Sequence, residues 1–225
     1  MISHKHKFIF IHVPKCAGTT VEKRLVDNEI VFDWNHKAQI GEQNPLPFGD
    51  LREKGLAQTI EKFSDYYLFT FCRNPWHRLI STYLHSKRGG DKGIFKRAAA
   101  LGSFASFVEE ARIYLAEQDS GKLSGFEKYH LLPQIKFIPK ANQDFFSITM
   151  KSDFKIDFIG RAESFDLDLS RICKHLGLET QTNKKYNTSS YPHPWKDYYN
   201  DSLFNRVAEI YKEDISSFDY TNFIL

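Results

Sequence analysis

The first strongly patterned stretch of this sequence runs from residue 8 to residue 26 and changes character twice. Residues 8–13 are almost entirely apolar, as in a strand buried on both faces of a parallel sheet. Residues 14–20, Pro-Lys-Cys-Ala-Gly-Thr-Thr, form a small-residue loop, and a helical pattern follows directly. A strand, a loop and a helix start in this order bring backbone N–H groups and the positive end of a helix to one point. The segment therefore predicts a phosphate or sulfate site, to which Lys15 adds a full positive charge.

This loop differs from the nucleotide triphosphatase P-loop, which requires Gly, four residues and then Gly-Lys-Ser/Thr. Here Lys15 precedes Gly18, and no glycine comes before Gly18 in the sequence. The plain alternative is an ordinary strand-to-helix turn with a surface lysine. Thr19 and Glu22 have the spacing of a capping box, so we expect them to open the helix.

Composition narrows the class of protein. The 225 residues are 41% hydrophobic and 26% charged, which suits a single domain over 1–225. A net charge of +3 is too small to indicate a nucleic-acid partner. The three cysteines, Cys16, Cys72 and Cys173, have no metal-ligand spacing, so we expect reduced thiols and no metal. The N-terminal apolar run is too short for a signal peptide or a membrane span, and the expected location is cytoplasmic.

Further strands and helices alternate along the chain. Residues 66–72 have the pattern of a second buried strand, and Asn74 and Pro75 suit the cap and first position of the next helix. Other predicted elements are helices near 104–117, 167–176 and 202–211 and a strand near 156–160. This alternation predicts an α/β, P-loop-like three-layer fold with a central, mainly parallel sheet flanked by helices.

Arg73 stands directly after the second predicted strand, and Ser81 lies two turns into the helix that follows. Ligands of α/β sheets bind beyond the carboxyl ends of strands, and a guanidinium fork suits a phosphate. If the strands before Lys15 and Arg73 are neighbours, one ligand with phosphates at both ends can bridge them. Taken alone, such an arginine is more often a surface salt-bridge partner.

Three blocks together resemble the sulfotransferases that use PAPS (3′-phosphoadenosine 5′-phosphosulfate), especially the carbohydrate group that includes heparan sulfate 2-O- and chondroitin sulfotransferases. The block from His12 to Thr20 is similar to the family's His-Val-Pro-Lys-x-Ala-Gly-Thr-Ser. The block from Arg73 to Tyr83 is similar to Arg-x-Pro-x-x-Arg-x-x-Ser-x-Tyr. Residues 157–163 are similar to Asp-Phe-x-Gly-x-x-Glu. The resemblance implies a P-loop-like enzyme that moves a sulfuryl group from PAPS to a hydroxyl group.

The resemblance also implies a role for each block. The family's first loop binds the 5′-phosphosulfate, and its second motif binds the 3′-phosphate, which implies Arg73 and Ser81. Its late polar loop often closes over the nucleotide. Cys16 stands where Thr or Ser is more usual, and we expect its backbone N–H to serve instead. The residues implied for the 5′-phosphosulfate are Pro14, Lys15, Cys16, Ala17, Gly18, Thr19 and Thr20, and weaker candidates in the late loop are Lys185, Asn187, Thr188 and Ser189.

Sulfuryl transfer needs in-line positioning, neutralisation of the leaving 5′-phosphate and a general base for the acceptor hydroxyl. Lys15 is the candidate for neutralising the phosphate. His36 is favoured as the base because related sequences carry a similar His-x-x-Ala segment, and His130, in His-x-x-Pro-Gln, is the second choice. His12 is expected to be a core histidine. The expected acceptor is a saccharide or glycan, no metal is needed, and the oligomeric state is not indicated.

Two other functions remain open from the sequence. A nucleotide kinase needs a carboxylate that holds Mg²⁺ after a buried strand, and no convincing one is visible. A non-catalytic protein that binds anionic sugars or nucleotides would bind the donor without turnover. The two paired basic runs, 87–88 and 184–185, are short and more typical of a solvated surface than of such a binding face.

Overall fold

The computed structural model describes residues 1–26, 64–88, 96–117, 125–138, 144–145, 148–149, 156–179 and 193–225. The chain divides into two compact units. The first consists of Met1–Cys72 and Lys136–Asn187, and the second of Arg73–Ile135 and Thr188–Leu225. A single domain over 1–225 remains a prediction.

The strands and helices of the described residues follow the chain in this order: β1 (Ile2–Ser3), β2 (Phe8–Ile11), α1 (Gly18–Val26), β3 (Tyr67–Cys72), α2 (Pro75–Lys87), α3 (Lys96–Ala100), α4 (Phe104–Glu117), α5 (Gly125–Leu131), β4 (Asp144–Phe145), β5 (Ile148–Thr149), β6 (Phe158–Arg161), α6 (Phe165–Leu176), α7 (Asp201–Ile210) and α8 (Lys212–Ser217). Single turns of 3₁₀ helix cover Gln134–Phe137, Ala162–Ser164 and Trp195–Tyr198. The strands and helices predicted within these ranges are all present, with ends that differ by a residue or two.

The described part of the first unit has a four-stranded sheet of the order β1-β2-β3-β6 and a two-stranded sheet of β4 and β5. Strands β2, β3 and β6 are parallel, and β1 pairs with β2 in the antiparallel sense. In the register, Ile11 lies opposite Thr70, and Cys72 lies opposite Arg161. The predicted α/β fold with a mainly parallel sheet flanked by helices is confirmed.

The apolar runs become strands because both faces of the sheet are covered. All four residues of β2 are buried, as are the last five of β3. The Phe69 ring packs against both Phe8 and Phe10, with centroids 5.6 and 5.2 Å away. The Thr70 hydroxyl, also buried, donates to the Ile11 carbonyl at 2.8 Å, so this polar side chain of β3 is satisfied inside the sheet.

Helix α6 has clear local signals at both ends. At its start, an Asp168 carboxylate oxygen accepts hydrogen bonds from the Arg161 N–H at 2.9 Å and the Ser164 hydroxyl at 2.6 Å. At its end, Gly177 has φ 66° and donates its N–H back to the last turn, which is the predicted glycine stop. Cys173 is buried in this helix, and its burial raises the pKa of the thiol to about 11. Like Cys16 and Cys72, it forms no disulfide in the structure, and the reduced state of the three thiols stays a prediction.

The second unit contains α2 to α5, α7 and α8. The Asn74 side chain accepts hydrogen bonds from the N–H groups of Trp76 and His77 at 3.1 and 3.2 Å, and Pro75 is the first helical residue. The predicted cap is therefore confirmed. Trp76 stacks on Phe204 with centroids 4.5 Å apart, which packs α2 against α7. Within the described ranges, no helix has the length and apolar character needed to cross a membrane.

A tight contact within the sheet makes the first testable prediction. Gly160 pairs with Phe71, and a Cβ on Gly160 would lie 2.6 Å from the Phe71 ring. That ring is 1% exposed and packs on Phe165 at 5.1 Å, so it has little room to move. We expect Gly160→Ala to lower the free energy of unfolding by about 1–3 kcal/mol, measured by urea denaturation.

The control is the same change in a Phe71→Leu background, where the ring atoms that clash are gone. There, Gly160→Ala should cost clearly less than in the unmodified chain. An equal loss in both backgrounds would show that the ring contact is not what excludes a side chain at residue 160.

Candidate functional site

The loop of residues 14–20, called here the Lys15 loop, has an unusual backbone. Lys15 and Ala17 have φ of 67° and 66°, in the left-handed region that non-glycine residues rarely adopt, whereas Cys16 between them lies outside it. Alternation of left- and right-handed residues turns successive N–H groups toward one side and makes a concave anion-binding surface. Such backbone strain is concentrated at functional sites.

The first turn of α1 leaves amide groups available next to this surface. The N–H groups of Thr20 and Val21 both donate to the Ala17 carbonyl, at 2.8 and 3.1 Å. The N–H groups of Ala17, Gly18 and Thr19 donate no hydrogen bond to any residue that the structure describes. Three adjacent donors at a helix start are the arrangement that binds phosphate or sulfate oxygens.

His12 and Glu22 form a pair beside the loop. His12 Nδ1 lies 2.7 Å from a Glu22 carboxylate oxygen, and the His12 side chain is 34% exposed. The His12 ring also packs so closely on Gly18 that a Cβ there would overlap it. The predicted capping box is wrong, because the helix begins at Gly18 and Glu22 binds the histidine instead of a backbone N–H of the cap. Glu22 thereby orients a histidine that the sequence analysis assigned to the core.

All seven residues predicted for the 5′-phosphosulfate lie in this loop. Lys15, Ala17 and Thr19 are partly exposed, whereas Thr20 is 7% exposed. Cys16 is buried, its Sγ lies 3.6 Å from the Pro14 carbonyl oxygen, and its N–H donates to the Val13 carbonyl at 3.3 Å. The backbone N–H of Cys16 therefore has a partner just before the loop, and its expected service to the ligand stays a prediction.

The sequence predicts a second phosphate site if the strands before Lys15 and Arg73 are neighbours. Within the sheet they are neighbours. Strands β2 and β3 are neighbours and parallel, so their carboxyl ends lie at the same edge. Along the chain, Lys15 comes four residues after Ile11, the end of β2, and Arg73 directly after Cys72, the end of β3. That one ligand bridges both segments stays a prediction.

In the second unit, Arg73 is held through its backbone. The Gln134 side chain accepts the Arg73 N–H and donates to the Arg73 carbonyl, both at 2.8 Å. The Arg73 side chain is partly exposed, whereas Ser81 on α2 is only 1% exposed. The 3′-phosphate roles of Arg73 and Ser81 therefore stay predictions, and only Arg73 offers a partly open side chain.

His130 lies near the end of α5 and is partly exposed. Arg78, which is 2% exposed, donates to the His130 carbonyl at 3.3 Å and to the Leu132 carbonyl at 2.9 Å. Sequence reasoning placed Arg78 in a motif without a role, and it missed Gln134 as a partner of Arg73. The Pro-Gln that follows His130 was the available signal, but it does not name a partner 61 residues away.

Some predicted residues fall outside the described ranges. These are His36 and the late-loop candidates Lys185, Asn187, Thr188 and Ser189. Among the described residues, no group of three or more His, Cys, Asp or Glu side chains is arranged to hold a metal ion. A metal-free reaction stays a prediction.

Comparison with known proteins gives the family. A family model described as the sulfotransferase family matches residues 1–221. Carbohydrate sulfotransferase 14 of Danio rerio is 23% identical over 199 residues, covering 79% of this chain and 48% of that protein. Carbohydrate sulfotransferase 12 of Xenopus laevis is 23% identical over an alignment of 253 residues, covering 98% and 59%. An uncharacterized protein of Archaeoglobus fulgidus is 27% identical over 128 residues, covering 57% and 82%.

The chain spans about half the length of the two carbohydrate sulfotransferases that it matches, 48% and 59%. No solved structure matches it significantly. The family model nevertheless covers nearly the whole chain, including the Lys15 loop and the segment of Arg73 and Ser81. This chain belongs to the sulfotransferase family.

Proposed function

We propose that this chain transfers a sulfuryl group from PAPS to a hydroxyl group of a carbohydrate. The observation that carries the proposal is the row of N–H groups at Ala17, Gly18 and Thr19, next to Lys15, in a member of the sulfotransferase family. A phosphosulfate supplies several anionic oxygens for such a row. The saccharide acceptor is supported by the names of two relatives, carbohydrate sulfotransferases 14 and 12.

The proposed roles within the Lys15 loop follow from its charges and donors. The N–H groups of Ala17, Gly18 and Thr19 hold the 5′-phosphosulfate, and the Lys15 ammonium neutralises charge that grows on the 5′-phosphate. Donors that are fixed before the reaction stabilise this charge without reorganising. Thr19 is partly exposed, and its hydroxyl adds a further donor in this proposal.

Arg73 and Ser81 are proposed to hold the 3′-phosphate. A guanidinium group binds phosphate oxygens through two parallel hydrogen bonds, which also fixes the orientation of the nucleotide. The partly exposed side chain of Arg73 supports this role. The hydroxyl of Ser81 is buried on α2, so Arg73 carries the larger share of the proposal.

In the proposed reaction the acceptor oxygen attacks the sulfur, and the sulfur–oxygen bond to the 5′-phosphate breaks. The electron pair of that bond leaves with the phosphate, and the proton of the acceptor hydroxyl passes to a general base. His36 remains the favoured base and His130 the second candidate. His130 lies in the described part of the chain and is partly exposed, whereas His36 lies outside it. The product nucleotide is 3′-phosphoadenosine 5′-phosphate, called PAP below.

The donor is tested first, because it does not require a known acceptor. Calorimetry should show binding of PAP in the micromolar range or tighter, roughly −8 kcal/mol, and no comparable binding of ATP with Mg²⁺. A preference for ATP would favour a kinase and contradict the proposal. Binding of PAP without sulfate transfer to any sugar acceptor would favour the non-catalytic alternative. A cytoplasmic location and closure of the late loop stay predictions.

Two substitutions separate the proposed phosphate sites. Lys15→Ala should weaken PAP and adenosine 5′-phosphate alike, about 10- to 100-fold, because both carry the 5′-phosphate. Arg73→Ala should weaken PAP by a similar factor and leave adenosine 5′-phosphate nearly unchanged, because only PAP carries the 3′-phosphate. Both are measured by calorimetry at one salt concentration.

Matched controls remove the same charge nearby. Lys23→Ala on α1 and Arg88→Ala after α2 each delete an exposed cation and should change either affinity by less than about twofold. If Arg73→Ala weakens both nucleotides equally, the 3′-phosphate role is rejected. If Lys15→Ala leaves both affinities unchanged, the Lys15 loop is not the donor site.

The contact between Gly18 and His12 gives a further test of the loop. A Cβ at residue 18 overlaps the His12 ring, which the 2.7 Å contact with Glu22 holds in place. We therefore expect Gly18→Ala to displace the loop and to weaken PAP binding about tenfold. Adding His12→Ala removes the ring and should recover much of that loss, measured by calorimetry. No recovery in the double variant would mean that the ring is not the obstacle.

A further inference from the structure

A single buried side chain holds both polar backbone groups of Arg73. The Gln134 carboxamide accepts the Arg73 N–H through Oε1 and donates to the Arg73 carbonyl through Nε2, each at 2.8 Å. Gln134 is completely buried. Paired hydrogen bonds of this kind resemble those of a neighbouring strand, and they fix the peptide planes on both sides of Arg73. The direction in which the Arg73 side chain leaves the backbone is thereby fixed as well.

Gln134 is in turn held by Asp214 on α8, which is completely buried. One carboxylate oxygen accepts the Gln134 backbone N–H at 2.8 Å and its Nε2 at 3.3 Å, and the other accepts the Ile135 N–H at 2.9 Å. Nε2 therefore faces two acceptors, whereas Oε1 faces a donor. This pattern allows only one orientation of the carboxamide, because a flipped amide would face each group with its like.

Residues 130–132, which come shortly before Gln134 in the chain, are also held by hydrogen bonds. Three successive carbonyls accept hydrogen bonds from buried side chains: that of His130 from Arg78, that of Leu131 from Tyr211 at 2.9 Å, and that of Leu132 from Arg78. Burial raises the pKa of the Asp214 carboxyl, and the Arg78 charge offsets only part of that effect. The N–H groups of Gln134 and Ile135 that donate to this carboxyl group oppose the effect of burial on its pKa.

We propose that Gln134 and Asp214 are positioning residues that set Arg73 for the 3′-phosphate and so determine the preference for a 3′-phosphorylated nucleotide. The inference rests on the proposed function, since it assigns a purpose to the fixed backbone of Arg73. The segment that carries His130, the second candidate base, is held by the same network of buried hydrogen bonds as Arg73. Neither Gln134 nor Asp214 touches the ligand in this proposal.

The test compares the affinities of PAP and adenosine 5′-phosphate in the full chain by calorimetry. Gln134→Leu keeps the size of the side chain and removes both hydrogen bonds to Arg73. We expect it to weaken PAP about tenfold and adenosine 5′-phosphate less than about twofold, so that the ratio of the affinities falls. Asp214→Asn replaces one of the two accepting oxygens with an NH2 donor that faces a backbone N–H of Gln134 or Ile135, and it should lower the ratio in the same direction.

The matched control is Ser86→Ala. Ser86 is buried on α2 and donates to the Tyr83 carbonyl at 2.6 Å, so its loss removes a buried hydrogen bond without touching Arg73. We expect this variant to lose stability and to keep the ratio. Should Gln134→Leu fail to fold, Gln134→Glu keeps the acceptor for the Arg73 N–H and carries the same comparison.

Three outcomes decide the matter. A lowered ratio in the Gln134 and Asp214 variants with an unchanged ratio in Ser86→Ala supports the positioning role. A ratio that falls in Arg73→Ala but stays at its unmodified value in the Gln134 variant overturns the inference and leaves the proposed function standing. An unmodified chain that does not prefer PAP overturns both, and that result is seen before any variant is made.

Discussion

The parallel pairing of β2 with β3 is the constraint on which the first unit depends. A parallel pair has to be covered on both faces, which is why Phe8, Phe10 and Phe69 meet in its interior. The same pairing brings the carboxyl ends of both strands to one edge. The positions of the two candidate segments, which carry Lys15 and Arg73, thus follow from a packing requirement, because each segment begins where a buried strand ends.

Sequence reasoning succeeded where a signal is local. The patterns that predict the buried strands, the Asn74 cap with Pro75 and the glycine that ends α6 all lie within a few residues of the chain. It failed at Glu22, whose spacing from Thr19 fits a capping box. His12, at the end of β2, takes that carboxylate at 2.7 Å. The capping-box rule considers only residues that are close in the sequence, whereas His12 approaches Glu22 only in the folded structure.

The support of Arg73 lay beyond prediction for a different reason. Gln134 lies 61 residues from Arg73 along the chain, and Asp214 lies 80 residues from Gln134. No periodic sequence pattern links such positions, because a single hydrogen bond between distant residues produces no repeat in the sequence. A buried carboxylate and a buried arginine were also improbable from burial preferences alone. The structure accommodates them because both carboxylate oxygens of Asp214 accept hydrogen bonds and Arg78 donates to two backbone carbonyls.

The left-handed conformation of Lys15 places two demands on one residue. Glycine would adopt φ 67° at no cost, but it carries no charge, so the proposed phosphate role requires a lysine in a conformation that lysine disfavours. Ala17 shows the same conflict without the benefit of a charge. On the proposed function, backbone stability and phosphate binding therefore compete within three consecutive residues. On the proposed function, selection for a more heat-resistant form of this protein would favour substitutions that relieve this strain, and the proposed phosphate site would be lost with it.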